Sequence, residues 1–144
     1  MLEVLKYIWQ LLQNLTGLFL LLWYKIRGDA ERKDELSPAK GIRVYVSRFM
    51  PSGISLGKYI ILGRKYLYLG DARLSETIKH EYGHCRQSVR LGILYLLLIG
   101  VPSLCGNIYD RVAHKKWTSW ESKKWYYNQP WEKWADKLGG VERW

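Results

Sequence analysis

Cysteine is scarce in this chain of 144 residues: only Cys85 and Cys105 occur, in no C-x-x-C and at no metal-type spacing. That excludes a cysteine-built zinc site, and two unpatterned cysteines give no sign of an oxidising compartment. Cys85 reads as a buried free thiol. Histidine is nearly as scarce, with three residues in all. Negative charge is also short, since 13 Asp and Glu stand against 23 Lys and Arg and leave a net +10. Such a balance favours anionic partners, either nucleic acid or an anionic membrane surface. No small-residue cleavage site follows the first apolar run, so a retained anchor is expected rather than a removed signal peptide. The length suits one domain with a modest core.

What is abundant separates the two kinds of anionic partner. Eight Trp and eleven Tyr accompany the cations, and Trp and Tyr with Lys and Arg are what membrane–water interfaces collect. The stretch from Lys115 through Trp117, Trp120 and Trp125 to Trp131 has this character. Lys interleaved with stacking aromatics also suits single-stranded nucleic acid. That reading explains neither apolar segment of the chain, so membrane lipid is the expected partner and nucleic acid is not.

The first apolar segment, Leu5 to Tyr24, is long enough for a membrane span and is followed by Lys25, Arg27, Arg32 and Lys33. Leu5, Ile8, Leu12, Leu15, Phe19 and Leu22 form one stripe, while Lys6, Gln10, Gln13 and Gly17 lie on another. The polar stripe can pack against protein within the bilayer, or the helix can lie in the interface; a span is favoured. Residues 1–27 are thus expected to be an anchor helix. The cations after it place the remainder on the cytoplasmic side of the cell membrane. Residues 28–40 read as a charged linker, and 41–144 as the folded domain.

Within that domain Ile42 to Val46, Lys58 to Leu62 and Tyr66 to Leu69 have strand character between turns that contain glycine, which predicts a small, mostly antiparallel sheet. The edge of such a sheet can add an extended peptide as a further strand, or the sheet can be a structural meander. Ser75 is the expected N-cap of a helix running to about Arg90. The class is α+β.

His80-Glu81-Tyr82-Gly83-His84 lies on that helix and contains two of the three histidines. The H-E-x-x-H spacing stacks His80 and His84 one turn apart, near enough to share an ion, and sets Glu81 about 100° round the helix, within reach of a metal-bound water. A solvent-facing helix that binds nothing would show the same five residues. A third protein ligand is needed if the fourth position of a tetrahedral ion is to stay open. Asp110, His114, Glu121, Glu132, Asp136 and Glu142 are the candidates. Glu132 and Asp136 stand out, because E-x-x-x-D puts both carboxylates on one helix face. One of them can bind a metal while the other accepts the outer N–H of a ligand histidine.

H-E-x-x-H followed by Glu132-Lys133-Trp134-Ala135-Asp136-Lys137-Leu138-Gly139, an E-x-x-A-D-x-x-G, resembles the gluzincin zinc metallopeptidases. The likeness is to their membrane-embedded branch, which includes the CAAX-type prenyl-protein peptidases and the heat-shock membrane peptidases. The chain looks like a minimal bacterial relative of these. The resemblance covers roughly the last 70 residues, rests on these two motifs and implies a zincin-like fold. It further implies Zn²⁺ held by His80, His84 and Glu132, Glu81 as general base, and Asp136 orienting a ligand histidine. Fe²⁺, Co²⁺ and Mn²⁺ suit the same residues less well than zinc.

The second apolar segment, Leu91 to Cys105, follows the motif helix directly. A single crossing there would put Glu132 on the opposite side of the membrane from His80 and His84. The expectation is therefore a segment 91–105 that dips into the membrane and returns, bent at Gly100-Val101-Pro102-Ser103, with the N-terminal helix shielding its backbone. The expected function is hydrolysis of peptide bonds in a peptide or protein substrate at the cytoplasmic membrane surface, through a zinc-bound water activated by Glu81. His114, Tyr126 and Tyr127 are candidates to stabilise the oxyanion. The alternative is a catalytically inactive zinc-bearing membrane scaffold. A basic lipid or nucleic-acid binder with an accidental motif is a third.

Overall fold

The computed structural model describes residues 2–143. Two helices open the chain, α1 (Leu2–Trp9) and α2 (Leu11–Ile26). A mixed sheet follows, made of β1 (Glu31–Arg32), β2 (Arg43–Ser47), β3 (Gly53–Leu56) and β4 (Tyr59–Gly63) in the order β1-β2-β4-β3. The rest is helical: α3 (Asp71–Leu91), α4 (Val101–Ala113), α5 (Ser119–Tyr127) and α6 (Pro130–Gly139). The expected α+β class holds. No single helix among the described residues is long and apolar enough to cross a membrane.

β3 and β4 form a hairpin whose two-residue loop is Gly57-Lys58. Gly57 takes φ +63° while Lys58 does not enter the left-handed region, the II′-type arrangement that suits the twist of the strands. The chain then returns between its neighbours, so β4 pairs antiparallel with β3 but parallel with β2. That parallel pair is where the sheet departs from a simple antiparallel meander. Alternation along the strands sends side chains to both faces. Tyr45, Tyr59 and Ile61 pack with Leu21 and Tyr24 of α2, while Val44, Val46, Ile60 and Leu62 pack with Ile78 and Cys85 of α3. The sheet is thus covered on both sides, and its buried Ile60-Ile61-Leu62 run needs no polar face.

Several expectations change. The single helix expected over residues 1–27 is instead two helices broken at Gln10. The linker 28–40 joins the sheet through β1 and carries a 3₁₀ turn at Asp34–Leu36. Tyr66 to Leu69 is no strand, because Arg64–Tyr68 forms a 3₁₀ turn leading to α3. That helix starts four residues before Ser75, after Gly70, whose φ of +92° sets the entry, and Asp71 complements the helix dipole. The bend after it is sharp, 119° between Asp71–Leu94 and Leu96–Ala113. It lies at Gly92 (φ +54°) rather than at Gly100 to Ser103. Pro102 lies just after a π-helical turn at Leu96–Gly100, and helical backbone runs through it from Leu96 to Ala113.

Candidate metal centre

α3 and α6 approach so closely that side chains are excluded between them. A Cβ on Gly83 would strike the Ala135 carbonyl oxygen, and one on Gly139 would strike that of Lys79. This contact places the inner face of α6, with Glu132, Ala135 and Asp136 buried, against the His80–His84 face of α3. Residues 48 or more positions apart in the sequence thus share one site.

Glu132 Oε2 is 3.1 Å from His80 Nε2 and 3.2 Å from His84 Nε2. One ligand atom from each of the three lies within 4.8 Å of the others. Two ligands about 2.1 Å from a tetrahedral ion are about 3.4 Å apart, so the spacing suits one small cation. The outer ring nitrogens sharpen the point. His80 Nδ1 is 2.7 Å from Asp136 Oδ1, and His84 Nδ1 is 2.7 Å from Gln87 Oε1. Gln87 gives its amide N–H to the Trp131 carbonyl, so its oxygen must face the ring. Both Nδ1 atoms therefore donate, and both Nε2 atoms turn toward a carboxylate oxygen. With neutral imidazoles that would set lone pairs against negative charge, so the cluster calls for a cation at its centre, a proton or a metal ion. His80, His84 and Glu132 could hold the metal.

Protonation supplies part of that charge when no metal is bound. Burial disfavours a charged His80, but hydrogen bonds to Asp136 and Glu132 outweigh it and raise its pKa to about 9. Burial likewise disfavours the Glu132 carboxylate, and the two imidazoles overcome it and hold this group well below the usual carboxylate range. Asp136 is itself clamped, for Arg143 Nε donates to its Oδ2 at 2.7 Å and Arg143 also pairs with Glu76. The Arg143 guanidinium lies 3.7 Å over the Tyr127 ring, and Tyr127 meets His80 edge-on at 5.1 Å.

Glu81 stands beside the cluster without joining it. Its Oε2 accepts from Ser55 Oγ at 2.6 Å, and a Cβ on Gly53 would strike its carboxyl group. Both neighbours belong to β3, the edge strand. Tyr126 gives its hydroxyl to a bond of 2.8 Å with Ser103 Oγ, which donates in turn to Glu132 Oε1 at 2.6 Å. His114 is not brought to the cluster: it bonds Asp110 at 2.7 Å and stacks on Trp117 at 3.6 Å. Glu121 closes the capping box of α5 with Thr118. Cys85 is buried, and burial pushes its thiol up to about 12, as an inert structural group requires. Ser55, Gln87, Ser103 and Arg143 escape a reading by motif, because only the packing of β3, α4 and the segment after α6 brings them here. No family model matches the chain, and no curated protein or solved structure matches it either.

Proposed function

We propose that this chain is a gluzincin-like zinc metallopeptidase acting at a membrane surface. The observation that carries the reading is the convergence of His80 Nε2 and His84 Nε2 on one oxygen of Glu132, while Glu81, from the same turn of α3, keeps its carboxylate out of the cluster. When bound, zinc would supply Lewis-acid polarisation of a scissile carbonyl. The chain's own residues do the rest. Asp136 and Gln87 fix the imidazoles with Nε2 inward. Ser55 and Gly53 hold the Glu81 carboxylate against β3, from where it would take a proton from the attacking water and pass it to the departing amine. Tyr127, whose ring touches His80, is the better oxyanion donor of the two tyrosines, since the Tyr126 hydroxyl is engaged by Ser103.

The membrane part of the proposal is supported by helices that keep large apolar side chains on their outer faces. On α2, Gln13, Asn14, Gly17, Leu21 and Tyr24 are buried, whereas Leu11, Leu12, Leu15, Phe19, Leu22 and Trp23 are exposed. The burial of His80, His84 and Glu132 also suits the second reading, a zinc-bearing scaffold without turnover. Metal analysis and peptide-library cleavage on the purified full chain separate the outcomes. Wild type and Glu81→Gln should carry one zinc per chain, with cleavage only in wild type and lost on chelation. His84→Ala and Glu132→Ala should lose both. Zinc without any turnover in wild type favours the scaffold, and a wild type without zinc ends both readings.

A further inference from the structure

Glu132 is fully buried, and its two oxygens have different partners. Oε2 faces the imidazoles, while Oε1 accepts a 2.6 Å hydrogen bond from Ser103 Oγ. A serine hydroxyl has one proton, and once it is given to Glu132 the oxygen can only accept from Tyr126, 2.8 Å away. The chain Tyr126 to Ser103 to Glu132 therefore has one direction. Its members come from α5, α4 and α6 and meet only in the folded protein.

Resting on the metal reading above, we propose that Ser103, supported by Tyr126, is a positioning residue that restricts Glu132 to one-oxygen ligation and so keeps a coordination position free for reaction. A carboxylate with both oxygens free can grip an ion twice and fill the position that catalytic zinc sites leave open. A short O–H bond on Oε1 removes that choice. Without Ser103 this oxygen would lose its short donor and keep only Tyr126 within reach, which weakens its tether and favours a turn toward the ion. Oriented partners behind a ligand also govern its affinity, and their loss typically lowers metal binding about 10- to 100-fold.

The full chain loaded with Co²⁺ tests this, because the visible absorption of cobalt is strong in four-coordinate sites and weaker in five-coordinate ones. Ser103→Ala should weaken the cobalt band and lower zinc affinity about 10- to 100-fold in chelator competition. Ser103→Thr, which keeps the hydroxyl, should restore both. Tyr126→Phe should move the band in the same direction by less, and it serves alone if Ser103→Ala does not fold. A cobalt band unchanged in Ser103→Ala, or in Tyr126→Phe where only that variant folds, overturns the proposal. A wild type that takes up neither Co²⁺ nor Zn²⁺ overturns the metal reading itself and this proposal with it.

Discussion

At the residue scale the His80–Glu132 pair makes a pH prediction with a definite sign. His80 has its pKa raised from 6.5 to about 9 in the folded, metal-free protein, so its stabilisation is fully present below pH 6.5 and is lost as pH rises through about 9. Glu132 is depressed from 4.5, and its contribution is present above that value and lost as pH falls. The two shifts report one interaction and count once. Chelator-treated protein should therefore be most stable between pH 4.5 and 6.5, with Tm falling toward pH 9. Zinc requires neutral imidazoles, so the loaded protein should lose this fall, and the gap in Tm with and without zinc should widen from pH 6.5 to 9. Thermal melts across that window decide it; parallel curves would show that zinc does not bind at His80. His80, His84, Glu132 and Asp136 are legible in the sequence, because i, i+4 spacing on a helix dictates a shared face whatever surrounds it. Ser55 and Gln87 are not, since a serine on a short strand and a glutamine on a helix acquire roles only from what the fold sets opposite them.

At the scale of elements the site depends on how near α3 and α6 lie. Gly83→Ala forces a methyl group onto the Ala135 carbonyl oxygen of a well-packed backbone, and Gly139→Ala does the same against Lys79. Each should cost about 1–3 kcal/mol, as overpacking does, and should weaken zinc binding by moving Glu132 off the imidazoles. Gly106→Ala on α4 is the contrast, since its added Cβ meets only ordinary contacts with Trp131 and Tyr126. It should gain about 0.5–1 kcal/mol from helix propensity. Chemical denaturation with parallel zinc titration measures all three, and equal stability of Gly83→Ala and Gly106→Ala would contradict the close approach. The sequence reveals β2 through its β-branched alternation and β4 through a short apolar run between glycines. It hides β3 behind Pro51-Ser52-Gly53, which reads as a turn. It also suggests a strand at Tyr66 to Leu69, where four alternating residues do not distinguish a strand from a 3₁₀ turn. The bend misleads for a similar reason: Pro102 looks like a breaker, yet a π-helical turn before it accommodates the proline and the helix continues, while Gly92 does the turning.

At the scale of the whole molecule, the direction in which the helices face is the quantity to explain. Gln13, wholly buried on α2, donates to Ser88 Oγ and to the Gly92 carbonyl, and Asn14 accepts from Lys58 N, so the face that holds the helix to the protein is polar at its start and apolar further on, at Leu21 and Tyr24. The outward stripe is left to Leu15, Phe19 and Leu22, and α4 adds Val101, Leu104, Ile108 and Val112 at helical spacing. In water this arrangement leaves a row of large apolar side chains on each helix exposed, which is unfavourable. Against a bilayer it would be favourable, and the proposed membrane function would use it by seating these faces in the interface. Arg27, stacked over Phe49 and Trp23 next to this surface, and the net +10 add attraction to anionic headgroups. The full chain should therefore sediment with anionic vesicles more strongly than with neutral ones, and added salt should remove that difference while leaving an apolar component. Phe19 is 73% and Leu97 66% exposed, so Phe19→Glu and Leu97→Glu should spare the fold, checked by circular dichroism. Each should weaken vesicle binding about 10- to 100-fold, the effect of about 1.5–3 kcal/mol for withdrawing one large apolar side chain from the bilayer. If the wild type instead stays monomeric in detergent-free buffer and ignores both kinds of vesicle, the apolar faces belong to another partner and the membrane reading fails, whatever becomes of the metal site.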